Sequence, residues 1–322
     1  MQLNMNFKPS RIAGLLAAAF LTACGSSDSS NDPTGGDDQN NPVASAFSLS
    51  FKAMSGVEEV NCDTMYTGFG NDQSYSVGVS DLRFYVSNIK FYDQYDVEIE
   101  ATLDENEFQY QNEQGFVALI DLTSSDSGSC ALDSLSGTSR VNSVISGSYL
   151  DTGVAKVTFD VGLPQAMMKE VINSTSAEDA PSPLNEMYWS WASGYRHFLM
   201  NFAIEDTNGI AGDGFLHIGS KNCTGDGLLA LETQDECEFI NTPKVELSNF
   251  DPAVNTVTID IQNVLAGLAF APTAEGSDAP AVRCHSAPVA MQADCGPVFS
   301  NFGISTETGA TVAADNATIT VE

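Results

Sequence analysis

Apolar residues occupy every second position in several short stretches of this chain, the pattern of strands with one buried face. "FSLSF" places Phe47, Leu49 and Phe51 on one side, "KVTFDV" Val157, Phe159 and Val161, and "VTIDI" Val257, Ile259 and Ile261. In "DLRFYVSNIKFY" the apolar phase runs through Leu82, Phe84 and Val86, slips near Ser87–Asn88 and resumes at Ile89 and Phe91. A slip of one residue predicts a β-bulge there. "RHFLMNFAIED", a Gly-rich turn and "GFLHIG" read as one hairpin. Helical signal is thin, and "PQAMMKEVIN" after Pro164 is its best instance. The expectation is a mainly β protein: a single β-sandwich-like domain with long loops, few short helices and no internal repeat.

The N-terminal end changes the picture of where this domain works. Lys8 and Arg11 precede "IAGLLAAAFLTA", an apolar run short for a membrane span, and Leu21-Thr22-Ala23-Cys24 resembles a bacterial lipobox. That predicts a signal peptide over 1–23, lipidation of Cys24, a flexible acidic Ser/Gly/Asn linker over 24–44 and a folded domain over 45–322. No aspartate follows Cys24, so the expected address is the outer membrane, facing the periplasm or the cell surface. The formal net charge is -31, and losing the leader makes it two units more negative. Such a surface excludes nucleic acid as partner and suits cations.

Six cysteines remain: Cys62, Cys130, Cys223, Cys237, Cys284 and Cys295. An even number in an exported chain reads as disulfides. Cys223/Cys237 and Cys284/Cys295 are the local pairs, with Cys62–Cys130 left by elimination from about fifteen connectivities. No CxxC or CxxCH occurs, so neither a zinc ribbon nor covalent haem attachment is indicated.

Candidate chemistry gathers in "NEMYWSWASGYRHF", which holds both tryptophans, Trp189 and Trp191, and His197, one of three histidines. No GxSxG and no phosphate-binding glycine loop occurs, no nucleophile–base pair is visible, and no catalytic turnover is expected. "DTNGIAGDGF" offers Asp206, Asn208 and Asp213 on a Gly-rich loop, a composition that suits calcium or, by default, a hairpin turn. His197 and His217 flank the predicted hairpin, and pairing across it would bring them near one another. Imidazole suits copper, and thioether sulfur suits its reduced form. Met167, Met168, Met187 and Met200 are at hand, though each alone reads first as core packing. His285, beside Cys284, reads as exposed rather than ligating. If the tryptophan stretch is extended, Trp189 and Trp191 share one face; in a helical turn they diverge by about 200°.

"FKAMSGVEEVNCDTMYTGFG", "DLRFYVSNIKFYD", "VALIDL", "VTFDVGLP", "PSPLNEMYWSWASGYRHF", "LHIGSKNC" and "CHSAPVAMQADCGPVFSNFGI" follow in an order and style that resemble the MbnP-like copper-binding proteins. The resemblance spans roughly residues 47–305 and is sharpest in W-x-W-x-x-G-Y-[KR] and H-[LI]-G-S-x-x-C. It implies an exported, often lipid-anchored β protein that handles or takes up copper. Its partner would be a di-haem c-type cytochrome of the peroxidase-like family, which oxidises a tryptophan to kynurenine. Carried over, His217 is the leading copper ligand and Trp191, then Trp189, the residue modified; Cys223/Cys237 and Cys284/Cys295 match the family's cysteine pairs. The family commonly has an Asn-His after Val-Gly-x-Pro, where this chain reads "VGLPQAMMKEVIN". Either Met167 or Met168 substitutes, or His197 does, or copper binding is weakened or lost. The competing expectation is a structural or carbohydrate-binding surface lipoprotein.

Overall fold

The computed structural model describes residues 44–126, 128–132, 138–150, 153–176, 178–190, 194–223, 236–270, 272, 276–286, 293–313 and 317–322. Cys24, the expected leader, nearly all of the expected linker and Trp191 lie outside them. The described residues build a mainly β, sandwich-like domain from two open sheets. Its principal strands are β1 (Ala44–Ser55), β2 (Tyr75–Tyr92), β3 (Gly115–Asp121), β4 (Val144–Leu150), β5 (Lys156–Val161) and β6 (Tyr188–Ser190). They continue with β7 (Gly194–Asp206), β8 (Ala211–Gly219), β9 (Lys244–Ser248), β10 (Thr256–Asp260) and β11 (Ala281–His285).

The smaller sheet runs Ile319–Val321, β10, β1, β4, Ala101–Leu103. The larger runs β9, β5, β2, β7, β8, β11, with β6 paired to β7 and β3 to β2. Two pairings are parallel, β1 with β10 and β8 with β11. Parallel neighbours need a long crossover, so neither pairing is visible as a local pattern.

Strand alternation decides which face each side chain takes. Phe47, Leu49, Phe51, Val257 and Ile259 of the smaller sheet meet Leu82, Phe84, Phe159, Phe198 and Met200 of the larger in one buried core. The expected bulge is present: Thr158 pairs with Lys90 but Asp160 with Ser87, so two residues of β2 face one of β5. Asn88 takes a φ of 53° at that point, a left-handed conformation asparagine tolerates well.

The larger sheet's other face is also covered. Helix α1 (Gln165–Ser174) lays Met167, Met168, Val171 and Ile172 over Tyr85, Leu119, Tyr195 and Leu199. Among these apolar residues lies a polar group that would be prohibitive alone. The Arg83 guanidinium, 1 % exposed, is bidentate to Asp81 at 2.8 and 2.6 Å and reaches Glu186 at 3.4 Å. Asp121 opposes Arg83 on β3, and burial pushes its carboxyl up to about 7 against the pull of that guanidinium. Three disulfides, Cys62–Cys130, Cys223–Cys237 and Cys284–Cys295, close the framework. These are the local pairs and the remaining pair expected from the sequence.

Candidate metal centre

On the covered face of the larger sheet, the parallel register of β8 and β11 sets His217 directly opposite His285. Opposed residues of neighbouring strands share a face, and the two imidazole centroids are 5.5 Å apart. Phe215, two positions before His217 and so on the same face, lies 4.6 Å from each imidazole. Trp189 of β6 stacks on His285 with centroids 5.4 Å apart and planes 25° from parallel.

The two histidines sit on well-anchored backbone. The Cys284–Cys295 disulfide precedes His285 by one residue. The Ser286 hydroxyl follows it, donating to the His217 carbonyl at 3.0 Å and accepting from the Gly219 N–H. His217 Nε2–H donates to Asn201 Oδ1 at 2.8 Å in a buried contact. That bond fixes the tautomer, so Nδ1 carries the imidazole lone pair. Burial, then the positive charge of Arg196 and the neighbouring His285, hold the His217 pKa down at about 3. Burial, Arg196 and Lys221 lower His285 as well. Both rings are thus neutral at physiological pH, the state a metal requires.

His285 was expected to be exposed; it is instead partly buried and forms the pair with His217. His197, expected to approach His217 across the hairpin, does not take that place. The β7–β8 hairpin exists, but its register opposes His217 to Leu199, with a bulge between Arg196 and Phe198. His197 is fully buried, Nδ1–H donating to the Asn241 carbonyl at 3.1 Å and Nε2 accepting from the Ser220 hydroxyl at 3.2 Å. Both ring nitrogens are engaged within the protein, which leaves no lone pair for a metal. Met167 and Met168 are fully buried on the inner side of α1, in the apolar cluster with Val171, Leu184, Met187 and the Cys223–Cys237 bridge. Their placement is that of packing residues.

Gly162 explains part of the Val-Gly-x-Pro stretch. Its φ is +141°, and a Cβ there would fall 2.7 Å from His197 Cγ. Gly162→Ala is expected to cost about 2 kcal/mol or more, through backbone strain and overpacking together. Urea denaturation of variant and parent checks it, and an unchanged midpoint would contradict the close contact.

The tryptophan stretch is extended over Tyr188–Ser190, with Tyr188 opposite Tyr195. Trp189 therefore points away from Tyr188, whose ring packs edge-on to Tyr195 at 5.1 Å. The Asp206 loop forms the hairpin turn: Asp206 Oδ1 accepts from the N–H groups of Asn208 and Ile210. Asp213 is taken by Arg283, both carboxylate oxygens at 2.8 Å from Nη2.

His285, Phe215 and Asn201 are the members of this site that sequence reasoning missed. The usable signal was that "FLHIGS" and "VRCHS" both end a strand with His two positions after a bulky side chain. Among the described residues no group of three or more His, Cys, Asp or Glu converges. A metal here would have two imidazoles and need a donor of another kind.

A family model described as MbnP matches residues 44–286. Among solved structures, MbnP from Methylosinus trichosporium superposes with a TM-score of 0.66 at 21% sequence identity, over 87% of this chain and 98% of that one. At that identity the likeness concerns the fold. No curated protein matches significantly.

Proposed function

This chain belongs to the MbnP family, and from that premise we propose that it is a copper-binding protein whose own ligands are His217 and His285. The observation that carries the reading is the register of β8 and β11, which sets two neutral imidazoles side by side with Trp189 stacked on one of them. Two imidazoles suit copper but leave its coordination short. Trp189, once oxidised to kynurenine, would add an aromatic amine and a ketone where indole has only one N–H donor. The oxidant in this reading is a partner di-haem c-type cytochrome. Cys24 anchors the chain by lipid to the outer membrane, facing the periplasm or the surface, and the role is copper handling or uptake without turnover.

Protein purified from its native host tests this directly. Copper is quantified per chain, and the Asn185–Phe198 peptide is mapped by mass spectrometry. The expected result is bound copper together with kynurenine at Trp189. Intact Trp189 and Trp191 in a copper-free protein would sink the reading.

The pH dependence is a further check. Protons and copper compete for the same lone pairs, so binding fails only where the imidazoles protonate. With His217 held at about 3 and His285 also lowered, the loss of copper affinity on acidification should be centred below 6.5, the ordinary imidazole value. Competition against a chelator of known pH behaviour reads this out; a drop centred at 6.5 contradicts the buried pair.

A further inference from the structure

The acids around Arg83 outnumber the cations, and one of them is placed to hold a proton or to do without it. Asp81, Asp121 and Glu186 face Arg83 and, at the outer end, Arg140, which also pairs with Glu107. Arg83, Asp81 and Asp121 are each 1 % exposed. Asp121 Oδ1 accepts from the Thr123 N–H at 3.2 Å, and Oδ2 lies 3.1 Å from the Thr138 hydroxyl. That hydroxyl is itself 3.4 Å from the Arg140 carbonyl, so it can serve both forms of the acid. It donates to a carboxylate; when Oδ2 carries a proton, it accepts that hydrogen bond and turns its own hydrogen to the carbonyl. Burial pushes the Asp121 carboxyl up to about 7, so both forms occur near neutral pH. Tyr85 shares this face, its phenol donating to the Pro183 carbonyl, and Arg196 and His217 also feel the charge of Arg83.

Glu186 links this network to the metal centre, because it lies three positions before Trp189. Arg83 holds Asp81 at 2.6 Å but Glu186 at 3.4 Å, and the Glu186 side chain is the more exposed of the two. The next residue is pinned as well: the Met187 N–H donates to the Tyr85 hydroxyl at 3.4 Å, and its carbonyl accepts from the Arg196 N–H at 3.0 Å. We propose that Asp121 is a proton-operated latch on the tryptophan segment. The step moves one proton between Asp121 Oδ2 and solvent. With Asp121 neutral, two acids share Arg83 and Glu186 is drawn in. With Asp121 ionised, a second buried carboxylate competes for the guanidinium. Glu186, the weakest-held acid, then slackens toward Arg140, and Trp189 shifts against His285. The latch regulates the metal centre named above and rests on that reading for its purpose, while the proton step needs no metal.

The test follows tryptophan emission against pH in metal-free protein made without the partner cytochrome, so that Trp189 stays a tryptophan. A Trp191→Phe background leaves Trp189 as the only reporter. An emission change centred near pH 7 is expected; the three imidazoles are all lowered and titrate below that range. Asp121→Asn, whose amide mimics the neutral acid, should hold the acid-side spectrum throughout. Glu186→Gln should also flatten the emission curve, and it keeps the test decisive if Asp121→Asn does not fold. The proton itself is read from stability. The folded carboxyl binds it more tightly than the unfolded one, so the parent's urea midpoint should fall relative to Asp121→Asn as pH rises from about 4 to about 7. Emission that is flat through pH 7 in the parent, or a transition surviving in Asp121→Asn or in Glu186→Gln, would overturn the proposal. Because copper is absent throughout, failure of the copper reading and failure of this one are separately visible.

Discussion

Alanine in place of His217 or of His285 is expected to weaken copper binding by more than about 100-fold, since losing even an outer-shell partner of a metal ligand costs 10–100-fold. Each substitution removes one of two imidazoles, and no third His, Cys, Asp or Glu converges among the described residues to replace it. The informative comparison is His197→Gln. His197 is wholly engaged with Asn241 and Ser220, so that variant should lose stability and keep its copper affinity. Met167→Leu and Met168→Leu should likewise bind as the parent does. Affinity measured by chelator competition gives the answer: retention in His285→Ala with loss in His197→Gln would reverse the assignment of the pair.

Arg83→Met carries the largest stability effect expected in the molecule. Arg83 and Asp81 are each 1 % exposed, and Glu186 and Asp121 share the same guanidinium. Methionine fills much of the volume but leaves Asp81 and Asp121 without that cation, while Glu186 keeps its pair with Arg140. Breaking a buried pair from one side costs about 3–5 kcal/mol, far more than an exposed pair such as Lys90–Glu98 contributes. The deficit should shrink at acid pH, where protonation removes the stranded charges. Equilibrium unfolding across pH measures both; a loss below about 1 kcal/mol would mean that the pair is not desolvated as its burial implies.

The two predictions draw on opposite kinds of information. Arg83 lies in "DLRFYV", where the alternation places Leu82, Phe84 and Val86 toward the core and assigns Arg83 to the other face. Nothing in that pattern says the other face is buried. It is buried because that face carries the apolar cluster of α1, Leu184 and Met187 around Leu199, the cross-strand partner of Arg83, with Glu186 reaching the guanidinium, and the cost of enclosing Arg83 is met by Asp81 two positions back on the same face. The histidine site has the same character. His217 was legible from the resemblance, while its neighbour His285, 68 positions further on, was assigned to the surface.

The sequence by itself determined what depends on neighbours along the chain. Period-two alternation predicted β1, β2, β5 and β10 and the face of each core residue, and the phase slip at Ser87–Asn88 predicted the bulge. Pro164 and the "PQAMMKEVIN" stretch predicted α1, and cysteine proximity predicted two of the disulfides. Only the tertiary structure decided that β8 runs parallel to β11, that His285 stacks beneath Trp189, and that His197 is closed into the protein against Gly162. Local patterning fixes which side of a strand a residue occupies, because that follows from the pleat. Which strand lies next to it, and in what register, is chosen by the packing of the whole sheet, a sum over distant contacts that no short stretch records.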